Sequence, residues 1–142
     1  MREMSKDEVQ EFLLQGTRTG KLATVRADGR PHVAPIWFVL DDDGTLMFTT
    51  AADSLKGKAI RRDPRVAMCV DDEDSPFAFV LVEGRAEVSE DLDEMLTWAT
   101  RLGGRYMGTD QADAYGKRNA VPGELLVRIV PTHVVGRAGI AD

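Results

Sequence analysis

The sequence predicts a mainly β fold with flanking helices, a small antiparallel barrel built around one core. Three observations lead there. The 142 residues are 43% hydrophobic and 30% charged, ordinary proportions for a folded domain. About six apolar, β-rich runs are separated by short turn signals, and helical spacing occurs only between groups of those runs. No repeat, low-complexity tract or linker divides the chain, so residues 1–142 read as a single domain.

Ser5 with Glu8 fits a capping box, and Val9, Phe12 and Leu13 give the helix that follows an apolar stripe. Three strands of a meander come next: Lys21 to Ala27, then Pro31 to Leu40, then Thr45 to Thr50. Asp28-Gly29 and the run Asp41 to Gly44 supply the turns between them. A short helix spans Asp53 to Arg62, with Asp53 or Ser54 as its cap. Asp63-Pro64 ends it, because a residue before proline is pushed out of the helical region. Strands Arg65 to Asp71 and Phe77 to Val88 follow. Ser89 is placed to cap a longer helix whose Leu92, Met95, Leu96, Ala99 and Leu102 share one face, with Gly103-Gly104 as its stop. A last β pair, Glu124 to Val130 and Thr132 to Val135, completes the barrel.

The charge balance narrows the partners. Lys and Arg number 18 against 24 Asp and Glu, a net of −6, which argues against coating nucleic acid, since that needs a basic excess to release counterions. The longest apolar run, Ile36 to Leu40, is far shorter than the roughly 20 residues that span a bilayer. The charged N-terminus lacks the apolar segment of a signal peptide. Cys69 is the single cysteine, so an intrachain disulfide is impossible and the ligand supply for a structural zinc is missing. A cytoplasmic protein without a metal, acting on a small molecule, is the expectation.

One basic island interrupts the acidic chain. Lys56, Lys58, Arg61, Arg62 and Arg65 fall within ten residues that contain one acid, Asp63, which leaves 13 basic and 23 acidic residues elsewhere, a net of −10. The island begins at a helix N-terminus, where free N–H groups and the positive end of the dipole favour an anion. A phosphate there would meet the Ser54 hydroxyl and the Lys56 ammonium together, although charge runs of this kind more often form a solvated helix face. The strand Phe48-Thr49-Thr50 leads straight into it, and alternation turns only one of the two threonines inward. His32 and His133 stand singly, as strand residues, and Cys69 reads as a core thiol.

The ordered set Gly29-Arg30-Pro31-His32-Val33, Pro35-Ile36-Trp37-Phe38, Phe48-Thr49-Thr50, Ser54-x-Lys56 and Arg62-Asp63-Pro64-Arg65-Val66 resembles the pyridoxamine 5′-phosphate oxidase-like split-barrel superfamily. The likeness runs from about Gly20 to Val88, with a weaker match at Arg128 to Pro131. It implies a six-stranded antiparallel split β-barrel, a homodimer, and a flavin or deazaflavin in the groove between subunits. Residue by residue, the ring-contacting strand falls on Ala34 to Val39, its paired strand-end residues on Thr49 and Thr50, and the phosphate-binding pair on Ser54 and Lys56. A second-subunit contact falls on Phe79.

The departures are informative. Ala34, Val39 and Leu55 stand where the flavin-dependent oxidases of the superfamily place Arg, Lys and Arg, so three cations that hold flavin mononucleotide (FMN) are absent. Neither Trp37 nor Trp98 matches their C-terminal tryptophan. Short, with Lys56 kept and Arg61-Arg62-Asp63-Pro64-Arg65 following, the chain is similar to the actinobacterial branch that uses the deazaflavin coenzyme F420, whose reduced form gives hydride to an activated C=C, enone or quinone-like acceptor. An FMN-dependent oxidase or reductase, and a cofactor-binding protein without turnover, are the alternatives.

Under that resemblance Pro35, Ile36, Trp37 and Phe38 would wall the cofactor ring, with Trp37 best suited to stacking. A buried strand explains Ile36 and Phe38 equally well. Lys58, Arg61 and Arg62 would serve a polyanionic cofactor tail. Arg105, Tyr106 and Tyr115, in the stretch Gly103 to Gly116, either line the open face or belong to a surface loop. No residue is assigned as catalytic.

Overall fold

The computed structural model describes residues 1–142. Its strands are β1 (Arg2–Glu3), β2 (Gly20–Val25), β3 (Pro31–Ile36), β4 (Val39–Leu40), β5 (Leu46–Ala51), β6 (Arg65–Asp72), β7 (Ala78–Ser89) and β8 (Glu124–Ala138). The helices are α1 (Lys6–Leu14), α2 (Leu55–Arg62), α3 (Leu92–Met107) and α4 (Ala112–Asn119). The sheet is antiparallel in the order β3-β2-β6-β7-β8-β5-β4, with β1 added to the far end of β8. Eight strands stand where six were expected, and the two extra ones, β1 and β4, are two residues each.

The two edges of this sheet are neighbours in sequence. β3 and β4 are separated only by Trp37-Phe38, so the sheet must curl until its edges meet at that pair. The strand expected over Pro31 to Leu40 is therefore broken at the point where the barrel splits. Inside the curl lies a core of 17 residues that includes Leu22, Phe38, Phe48, Met68 and Val80. A smaller cluster, Val39, Met47, Met95, Trp98, Leu102 and Leu126, fastens α3 to the outside of β4, β5 and β8.

Local chemistry explains the elements. Ser5 and Glu8 form the expected reciprocal capping box on α1. On α3 the cap is Asp91 rather than Ser89, because the Asp91 carboxylate accepts from both Asp93 and Glu94 N–H while the Ser89 hydroxyl accepts from Asp91 N–H. Nor does α3 stop at Gly103-Gly104. It continues to Met107, and a Cβ on Gly103 would come 2.7 Å from Tyr115 Cβ, so this glycine lets α4 pack closely instead of ending the helix. The stretch expected as a loop is thus mostly helical. The expected last β pair is one strand, in which Thr132 is the extra residue of a bulge opposite Glu83 and Gly84. Cys69 is not a core thiol: alternation sends Met68 and Val70 inward and leaves Cys69 half-buried on the outer face between Lys21 and Leu81.

Candidate functional site

The end of β5 and the start of α2 form the floor of a cleft. Thr50 is buried, and its hydroxyl lies 3.1 Å from Ser54 Oγ. Ser54 Oγ donates to the Ala51 carbonyl at 2.8 Å and accepts from Gly57 N–H at 3.0 Å, so its one proton is used and Thr50 is the donor between them. Gly57 has no Cβ to collide with the Ala51 carbonyl, which lets the helix start tuck under the strand. Ser54 and Thr50 are therefore spent on holding α2. Thr49, one residue away and on the other face, is the threonine that opens into the cleft, beside Lys56.

The cleft has a volume of about 430 Å³, within the size range of small-molecule sites. Pro35, Ile36 and Trp37 make one wall. Leu102 and Met107 of α3 with Tyr115 and Arg118 of α4 line the rest. Lys56 and Arg118 are its only charged lining residues. Neither side chain has a hydrogen bond or ion pair within the chain. Burial pushes the nearby Glu124 carboxyl above its usual range, Asp53 adds to this, and Lys56 opposes it.

Trp37 sits where the two sheet edges meet. Its ring stacks on Tyr106, with centroids 4.8 Å apart and planes 3° from parallel, and tilts against Tyr115 at 5.9 Å. The backbone beneath it leaves the β ladder, and its polar groups need other partners. Side chains of α3 supply them. Phe38 N–H donates to the Tyr106 hydroxyl at 3.1 Å, that hydroxyl donates to the Arg18 carbonyl at 2.7 Å, and Arg105 donates to the Phe38 carbonyl at 2.7 Å. Burial raises the Tyr106 phenol and lowers the Arg105 guanidinium from their ordinary values. Arg105 and Tyr106 thus stand behind the wall instead of lining an open face.

Five predicted residues meet here: Pro35, Ile36, Trp37, Thr49 and Lys56. Phe38 does not. Its side chain is wholly buried in the barrel core, since alternation past Trp37 turns it inward; Ile36, on the same face and 5% exposed, belongs to that core as well while lining the cleft. Lys58 and Arg61 point away from the cleft: Lys58 is exposed, and Arg61 pairs with Glu90 at 2.7 Å. Arg62 donates to the Val25 carbonyl. Phe79 lies near the start of β7, opposite Asp71 and Arg137, and outside the cleft of its own chain. Leu102, Met107 and Arg118 were missed by sequence reasoning. The available signal was the small pair Gly103 and Gly116, which marks a close helix crossing, with Arg118 one turn after Tyr115.

The model of a protein family described as pyridoxamine 5'-phosphate oxidase matches residues 5–136. The chain belongs to that family. Among solved structures of similar fold, the conserved hypothetical protein Rv2991 of Mycobacterium tuberculosis is 31% identical, with a TM-score of 0.85 over 96% of this chain and 86% of that one. A protein titled F420 reductase is 32% identical, with a TM-score of 0.67 over 87% of this chain and 94% of that one. An FAD-binding protein of Mesorhizobium loti is 26% identical, with a TM-score of 0.70 over 95% and 93% of the two chains. The curled antiparallel sheet, split between β3 and β4, is the split barrel of this family. No helix is long and apolar enough to cross a membrane.

Proposed function

We propose that the cleft binds a deazaflavin of the coenzyme F420 type and that the protein is an oxidoreductase passing hydride to an electron-poor acceptor, an activated C=C, enone or quinone-like ring. The observation that carries this reading is the Lys56 ammonium, unpaired at the start of α2, lining one cleft with Thr49, Ile36 and Trp37. The donor set suits a flat ring with a phosphorylated tail: an aromatic and aliphatic wall for the ring, a cation and a hydroxyl for the phosphate. The F420 reductase among the structural neighbours supports it. So do Ala34, Val39 and Leu55, none of which can carry the charge that would favour FMN.

The bound cofactor supplies the hydride. The chain supplies position. Arg105 and Tyr106 fix the Trp37-Phe38 backbone, so the wall presents one surface to the ring without rearranging. Leu102 and Met107 add apolar surface to the cleft. Lys56 and Thr49 hold the phosphorylated end. A second copy of the chain, docked through the outer face of β2, β6 and β7, would cover the open side and bring its own Phe79 towards the ring.

A flavin-dependent oxidase or reductase is the second reading, supported by the FAD-binding neighbour. Titration of the apo protein with F420 and with FMN separates the two. Tighter binding of F420 is expected, and equal affinity or FMN alone overturns the first reading. Single-turnover mixing of the reduced protein-bound cofactor with enones and quinones then tests turnover, because no reoxidation with any acceptor leaves a binding protein only.

A further inference from the structure

Most cationic heads of this acidic chain have partners. Arg61 pairs with Glu90, Arg128 with Asp41 and Glu94, and Arg105 is taken up by three carbonyls. Arg118 has none, yet it lines the same cleft as Lys56, and no carboxylate lines it with them. An exposed arginine alone is ordinary, and its placement is what matters here. Arg118 follows Tyr115 by three residues on α4, so the two side chains share a helix face, and that face is turned to Trp37 by the Tyr115 contact. The helix itself cannot drift. Gly116 packs directly on Thr100 of α3, and Gly103 of α3 on Tyr115. A well-packed backbone thus brings a guanidinium without a partner to the lining of the cleft that Lys56 also lines.

We infer that Arg118 is a second anion-binding residue of the cleft, which together with Lys56 holds a phosphate ester of the cofactor. The inference rests on the cleft being a cofactor site. The two cations are complementary: a guanidinium offers a planar fork to two phosphate oxygens, whereas an ammonium acts as a point charge. Arg118 would also tell phosphorylated from unphosphorylated ring compounds, a distinction the apolar wall cannot make.

The test is calorimetric titration of the full chain with two pairs: F420 and its ribityl deazaflavin chromophore, which lacks the phosphate and the tail beyond it, and FMN and riboflavin, which differ by the phosphate alone. In whichever pair binds, Arg118→Gln is expected to weaken the phosphorylated member about tenfold and leave the other unchanged, the scale of one hydrogen bond to a charged group. Arg118→Lys should recover part of the loss. Arg118 has no partner to lose, so Arg118→Gln should keep the wild-type melting temperature. An unchanged ratio within the pair, or equal weakening of both members, overturns the inference. Preference of the wild type for the FMN pair overturns only the deazaflavin reading, because the ratio within that pair still reports on Arg118. A wild type that binds neither pair overturns both.

Discussion

Arg105 of α3 donates to the Phe38 carbonyl and to the Leu13 carbonyl, each at 2.7 Å, and to Gly16 at 3.0 Å. One guanidinium thereby ties the barrel split to the end of α1. Its fork reaches three carbonyls that point from different segments, which a lysine with a single nitrogen cannot do. Each bond joins a charged donor to a backbone oxygen, about 1.5–3 kcal/mol apiece when buried, but partial exposure of this site reduces the sum. Arg105→Ala is expected to lower unfolding stability by about 2–4 kcal/mol in urea titration, and Arg105→Lys to recover less than half of that. A loss below about 0.5 kcal/mol would show that the clamp contributes nothing to the fold.

The α3–α4 crossing makes a second, sharper demand. A Cβ on Gly116 would collide with Thr100 Oγ1 and lie 3.1 Å from Thr100 Cβ. Alanine is the better helix former by about 1 kcal/mol, so on an exposed helix the change Gly116→Ala would stabilise. Here the overlap should win. Overpacking typically costs about 1–3 kcal/mol, and the expected net effect is a destabilisation of about 1 kcal/mol, which Thr100→Ala partly relieves. A double-mutant cycle by thermal unfolding measures the coupling. Stabilisation by Gly116→Ala alone would mean that the helices are not so tightly crossed.

How far the residues spoke for themselves depends on the range of the signal. Short-range chemistry was legible: the capping box at Ser5, the start of α2 at Ser54 and its end before Pro64 all depend on neighbours within a few positions. The break at Trp37-Phe38 was not legible, because Ile36 to Leu40 is one continuous apolar run. What interrupts it is Arg105 and Tyr106, almost seventy residues away. Gly103-Gly104 misled for the same reason: glycine signals a helix stop locally, but the packing of Tyr115 on Gly103 decides otherwise. In the cleft, Lys56, Thr49 and Trp37 followed from motif order, whereas Arg118 enters through tertiary packing alone.

Asp63 gives the fold a pH dependence of known sign. Hydrogen bonds from the Arg65 side chain and backbone hold its carboxyl down to about 2. A lowered folded-state value means that the ionised form is favoured in the native protein, so the contribution is fully present above the unfolded value near 4 and is lost as pH falls towards 2. Asp63 terminates α2, and its ion pair with Arg65 fixes the turn into β6. In urea titrations from pH 5 to pH 2, the stability difference between wild type and Asp63→Asn is therefore expected to be positive at pH 5 and to shrink through that window. A difference that stays constant across it would detach the carboxylate from this role.

The outer face of the sheet leads to the last prediction. Cross-strand register sets Val33, Ala23, Ala67 and Glu83 in one row and Pro35, Lys21, Cys69 and Leu81 in the next, all on the side away from the core. Val33 is 64% exposed and Leu81 42%, large apolar side chains in water on a face they share with Lys21 and Glu83. With this face as the proposed dimer contact, a charge at its centre would remain unpaired against the same charge on the second copy, because a two-fold interface is self-complementary. The wild type is expected to sediment as a dimer at micromolar concentration, and Leu81→Lys as a monomer. The side chain is already half in water, so the monomer should keep the wild-type far-ultraviolet circular dichroism. Its cofactor affinity should fall as well, since the cleft of a single chain is open on one side. A dimeric Leu81→Lys protein would place the interface elsewhere, and a monomeric wild type that binds cofactor at full affinity would show that one chain completes the site.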